Sequence, residues 1–181
     1  MEFPIFMAAL MTQFIGLAHG LTPEEIRKIA DDPHNRTGMT RQLAMMYPDA
    51  REYQITMEFR DGQTGQKSKS KTTAKEKVVK GRYVVSQPVR KKGEPSFIMI
   101  VTFDRERELF IKWILLEGGV LMKQTGVGDL RYRSIAWTGE HDGMKSIGLE
   151  NHDDDTTTWK SSSFKDGKLV YSEKGIARKL K

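Results

Sequence analysis

No cysteine occurs anywhere in the 181 residues. That excludes a disulfide framework, a thiolate nucleophile and a cysteine-ligated metal, and it removes the staple on which small secreted domains commonly depend. Histidine is almost as scarce. The four are His19, His34, His141 and His152, and nothing in their spacing dictates a metal site. The chain also lacks a Gly-x-Ser-x-Gly elbow, a phosphate-binding loop and a dinucleotide fingerprint, so none of the reactions those motifs announce is indicated. No cofactor is implied.

The charge is uneven. Formal net charge is +6, but residues 61–95 hold ten Lys or Arg against three acids while the remainder is nearly balanced. One basic face is therefore expected, suited to an acidic protein or lipid partner or simply to solvation. Tyr83 is the only aromatic between Lys67 and Lys92, which disfavours single-stranded nucleic acid; duplex phosphate contact stays open, but nucleic acid is not the expected partner.

Residues 1–20 resemble a secretory signal peptide: Phe3 to Ala18 is almost uncharged, and Ala18-His19-Gly20 places small residues where a signal peptidase reads. The leading positive charge of such peptides is missing, Glu2 being the only ionisable residue before the apolar run. Thr12, Gln13 and Gly16 interrupt the run, so no stable membrane span is expected. Removal of the segment implies a secreted or periplasmic protein; its retention implies a cytoplasmic one. Residues 21–49 read as a helical cap. Thr22-Pro23-Glu24-Glu25 is a helix start with cap, first-turn proline and capping-box glutamate. Asp31-Asp32-Pro33 stops it. A second short helix is expected from about Thr40 to Tyr47, with Leu43, Met46 and Tyr47 on one side. Such helices commonly plug or cover a barrel end. Asn35-Arg36-Thr37 matches a glycosylation sequon, relevant only to a eukaryotic secretory route.

From residue 50 to 181 the pattern is a run of short strands. Tyr53, Ile55, Met57 and Phe59 alternate with polar residues, as in a half-buried strand. Lys67, Lys69 and Lys71 alternate with Ser68, Ser70 and Thr72, and Lys75 and Lys77 continue beyond an irregularity expected near Thr72–Ala74. This strand either lines a barrel with hydroxyls or is an edge protected by lysines. Val78 to Val85 reads as a strand bent at Gly81. Phe97–Phe103 and Leu109–Leu115 read as a hairpin across a charged turn. Gly118-Gly119 and Gly126-Val127-Gly128 read as turns, Asp166-Gly167 as a strong hairpin turn. Nine or ten strands at this spacing, with connections too short for crossover helices, predict a mostly β fold: an antiparallel meander closing into a barrel of about 8–10 strands.

Gly81-Arg82-Tyr83, the hairpin Val101–Asp104 to Phe110–Trp113, Gly118-Gly119, Trp137-Thr138-Gly139-Glu140, and the ending from Asp166-Gly167-Lys168 through Ala177-Arg178-Lys179 recur in order. In this the chain resembles the bacterial family catalogued as domain of unknown function 1579, over about residues 75–181. The resemblance implies a lipocalin-like (calycin-type) β-barrel and carries no established reaction. The family's Gly-x-Trp near the first barrel strand has no counterpart in Pro48 to Phe59.

A barrel of this size holds a small molecule. A non-catalytic site for an apolar or amphipathic ligand is the leading expectation, with Tyr83, Phe97, Met99, Trp113, Met122, Arg131, Arg133 and Trp137 as candidate lining. Core packing is the competing reading of each aromatic and Met. Arg131 and Arg133 alternate in register with Ile135 and Trp137, so either they lie near a mouth or a bulge intervenes. A buried arginine needs an anion, which a ligand carboxylate or phosphate would supply, or a protein carboxylate such as Glu140 or Glu150. The alternatives are an interaction domain using the basic face at residues 67–92 and an enzyme working through His141 or His152. His141, His152 and Asp153 are weak metal candidates that read more simply as solvated turn residues.

Overall fold

The structure, a computed structural model, describes residues 21–32, 39–47, 51–88 and 97–180. Residues 1–20, where a signal peptide is expected, lie outside them, as do His34, the sequon and most of the Pro88–Pro95 connection. Ten strands form one closed barrel: β1 (Glu52–Asp61), β2 (Lys67–Val79), β3 (Tyr83–Pro88), β4 (Phe97–Asp104), β5 (Leu109–Leu116), β6 (Leu121–Asp129), β7 (Ser134–His141), β8 (Met144–His152), β9 (Thr156–Lys165) and β10 (Lys168–Lys179). Each pairs antiparallel with its sequence neighbour, and β1 closes on β10. The expected antiparallel barrel preceded by short helices is the fold observed.

Register decides which side chains point inward, because alternate residues face opposite sides of the wall. Ile55 stands opposite Thr72, Ser86 opposite Met99, Met99 opposite Ile114, and Ile114 opposite Met122. The same face continues through Trp137 opposite Gly148, Glu150 opposite Trp159, Trp159 opposite Gly175, and Gly175 opposite Met57. Along these rows the inward set returns to β1, and the register shift in the β9–β10 pairing falls near the start of β10, between Leu169 and Tyr171.

Among the described residues two helices precede β1. In α1 (Pro23–Asp31) the Thr22 hydroxyl accepts the Glu25 N–H at 3.2 Å while Glu25 Oε2 accepts the Thr22 N–H at 2.7 Å, a capping box worth about 1 kcal/mol. Ile26 and Ala30 bury against Val79, Val85, Ile100, Ile111, Trp113 and Leu115. All six of these project outward, so α1 lies on the outside of the β3–β5 wall. Its end is tied down by Lys77 Nζ on the Asp32 carbonyl at 2.8 Å and Lys80 Nζ on the Asp32 carboxylate at 3.0 Å.

Helix α2 (Arg41–Met46), capped by the Thr40 hydroxyl, does plug the barrel. Leu43, Met46 and Tyr47 insert among Val78, Val84, Val101, Phe110, Ile135 and Trp137, all inward-facing. This closes the end that carries the β2–β3, β4–β5, β6–β7 and β8–β9 turns.

Four local expectations are corrected. Gly81 is not a bend within a strand: Lys80 and Gly81 both take positive φ (51° and 62°) and close a tight turn between β2 and β3. The Thr72–Ala74 irregularity is absent, for β2 pairs with β1 without a shift. Nor is β2 an edge, since it is bonded on both sides. Gly126 and Gly128 are not a turn but lie within β6, facing inward. A Cβ on Gly126 would come within 2.7 Å of the Trp137 ring, and one on Gly128 within 2.5 Å of the Phe110 ring. They are glycine because large rings lie over them.

Candidate functional site

The plugged half of the barrel has a polar centre. Glu150 Oε2 accepts Lys112 Nζ at 2.6 Å and Trp137 Nε1 at 3.0 Å; Oε1 accepts the Tyr47 hydroxyl at 2.7 Å. His152 Nε2 lies 2.9 Å from the same Oε1, close enough for charge interaction but off the axis of a good hydrogen bond. Lys112 Nζ also lies 4.0 Å from the centroid of the Trp137 ring, an additional attraction for a desolvated ammonium. Burial alone would raise the Glu150 pKa. The Lys112 ammonium and then His152 outweigh it and hold the group well below the usual carboxylate range. Burial, and after it the Glu150 charge, drives the Tyr47 hydroxyl well above its ordinary value. Glu76, also buried and inward, is pushed up to about 8 by desolvation and then by Glu150, against the pull of Arg51 and Tyr53. Glu150 is ionised and saturated with donors. It anchors the plug rather than offering a free base.

Beyond this floor the interior changes character. Ser70, Ser86, Gln124, Ser146, Ser161 and Ser163 face inward together with Met57, Phe59, Met99, Ile114 and Met122. Met57, Phe59, Met99, Ile114 and Met122 keep part of their surface accessible although they point inside, so this half is not filled by side chains. Its polar groups are loosely engaged. Gln124 Nε2 donates to Ser146 Oγ at 3.4 Å, and Ser70 Oγ is buried with no partner among the described residues. Glu173 projects into the same space and accepts Trp159 Nε1 at 3.1 Å. Burial raises its pKa, only partly offset by Ser161, Trp159 and the more distant Lys112. A half-desolvated carboxyl among hydroxyls, beside apolar walls, is the composition of a small-molecule chamber.

The candidates drawn from the sequence divide. Phe97, Met99, Met122 and Trp137 face inward, Trp137 in the floor and the others higher. Tyr83 and Trp113 face outward beneath α1 and cannot line the interior. Arg131 is exposed in the β6–β7 turn. Arg133, at positive φ (47°), ends the same turn and gives its guanidinium to Asp154 Oδ1 at 2.7 Å. Both arginines therefore sit at the plugged end outside the chamber, and neither meets Glu140 or Glu150. His152 is not a solvated turn residue: it closes β8, is buried, and contacts Tyr47 edge-on at 4.8 Å. His141 lies at the other end, 3.1 Å from Asp142, and Asp153 is exposed, so the three do not converge. Among the described residues no group of three or more His, Cys, Asp or Glu is placed to hold a metal.

Sequence reasoning missed Lys112, Glu76, Glu173 and the role of Glu150. The available signal was Lys112, a single charge inside the apolar strand Leu109–Leu116. No protein-family model matches the chain, and no curated protein matches it.

Proposed function

We propose that the barrel is a non-catalytic binding protein for a small, uncharged amphipathic molecule held in the unplugged half. The supporting observation is the inward surface there: loosely bonded hydroxyls, one raised carboxyl and half-buried Met and Phe side chains above a sealed floor. The case for an acidic ligand rested on Arg131 and Arg133, which lie at the plugged end outside the chamber. Membership of the family catalogued as domain of unknown function 1579 belongs to the same proposal and rests on the order of the motifs quoted above. So does secretion or export to a periplasm, which rests on the composition of residues 1–20.

Native mass spectrometry of gently purified protein, set against the denatured sample, tests the reading. Extra mass in the native spectrum that disappears in a folded Met122→Trp variant is the expected result. A bare native mass, combined with failure of apolar fluorescent probes to bind in competition with amphipathic alcohols, would overturn it.

A further inference from the structure

The outer wall of β8, β9, β10, β1 and β2 carries a second concavity. One cross-strand row on it runs Leu149, Lys160, Lys174, Glu58, Lys69. The next runs Asn151, Thr158, Ile176, Thr56, Lys71. A groove of about 410 Å³ lies over these rows, within the size range of small-molecule sites. Leu149 and Ile176 are its outward aliphatic side chains, with Lys, Glu, Thr and Asn supplying the rest of the outward lining, and Leu149 is left 44% exposed at one end.

The charges in the groove are not balanced. Lys160 and Lys174 stand directly opposite each other on paired strands, where like charges repel. Lys174 is relieved by Glu58 Oε1 at 3.2 Å, and Glu58 Oε2 also holds Lys69 at 3.6 Å. One carboxylate thus serves two ammonium groups. Lys160 has no acidic partner among the described residues. A second anion placed between Lys160 and Lys174 would remove the repulsion, and an aliphatic chain attached to it would cover Leu149 and Ile176. Lys67, Lys71 and Arg178 on the same outer face add a positive field that steers anions toward it.

We propose that this groove binds a single-chain aliphatic anion, its carboxylate or phosphate head bridging Lys160 and Lys174 and its chain lying along Leu149 and Ile176. The site is separate from the chamber and stands whether or not the chamber is occupied. Its test is titration of the full protein with dodecanoate below the micelle concentration, by calorimetry and amide-resolved NMR, beside dodecyltrimethylammonium as the cationic control. The expected result is binding of the anion alone, with shifts at Leu149, Lys160 and Ile176, and affinity that falls as salt rises. Lys160→Glu weakens it by roughly tenfold or more, the equivalent of one charge-assisted contact; Lys160→Ala weakens it less. Met122→Trp leaves it unchanged. Equal binding of the cation, indifference to Lys160→Glu, loss of binding in Met122→Trp, or no binding up to millimolar dodecanoate would each overturn the proposal. Circular dichroism confirms that every variant tested is folded.

Discussion

Replacing Glu150 by Gln keeps the shape of the side chain and removes its charge. The Lys112 ammonium, only 9% exposed, is then left facing a neutral amide and the Trp137 ring. Breaking a buried ion pair from one side typically costs about 3–5 kcal/mol, because the remaining charge stays desolvated without compensation. In a domain of this size that is a fall in melting temperature of roughly 10 °C. Tyr47 donates to Oε1 and Trp137 to Oε2, so the single amide oxygen keeps one of these donors while the other meets the amide NH2, and the loss combines the lysine's unpaired charge with one broken hydrogen bond. Lys112→Met combined with Glu150→Gln should be clearly more stable than Glu150→Gln alone, since no unpaired charge remains. Urea unfolding of wild type, both single variants and the double, followed by tryptophan fluorescence, yields the coupling energy. If Glu150→Gln costs under about 1 kcal/mol, or the double variant is no better than the single, Glu150 is not the electrostatic anchor of the floor.

The remaining predictions follow from particular contacts. Glu76, with its pKa at about 8 in the folded protein, keeps a proton that the unfolded chain has released, so stability falls as pH rises from about 4.5 to about 8 and levels off above that. Glu150, held low, adds stability above the ordinary carboxylate pKa that is lost on acidification. Together they place maximal stability near about pH 5, and Glu76→Gln should flatten the alkaline side of a pH series of thermal melts. Leu43→Ala empties part of the plug and should cost about 2–5 kcal/mol in chemical unfolding, whereas a helix merely resting on the barrel would lose far less. Gly175→Ala would put a methyl 2.1 Å from the Trp159 ring. The ring must move, at a cost of about 1–3 kcal/mol, and the change should appear as a shifted Trp159 indole signal in NMR.

Much of the barrel was readable because its turns and its alternation are local. The hairpin turn at Asp166-Gly167 takes positive φ at both residues, as the sequence of the pair suggests. Thr22 caps the first helix as its pattern predicts. The site was less readable because alternation does not say which face is the inside. On β3 to β5 both faces are apolar, one filled by α2 and the other covered by α1, so Phe110 and Trp113 look equivalent as letters and lie on opposite sides of the wall. Arg131 and Arg133 continued the alternation of β7 on paper, but the positive φ of Arg133 puts the turn there instead. The Glu150 centre joins Tyr47, Lys112, Trp137 and His152 from four separate elements, and only closure of the barrel brings them together.

The seam between β1 and β10 has a consequence for how the protein is made. Tyr53 lies beside Lys179, so the first strand of the wall waits for the last. During synthesis each hairpin can form as it emerges, yet β1 and β9 remain raw edges until β10 has left the ribosome. Such edges are templates for pairing with other chains, and a contact this distant in sequence forms slowly. A product that lacks Lys168–Lys179 would therefore be an open sheet with two unpaired margins rather than a slightly smaller barrel, and its yield in expression should fall through aggregation.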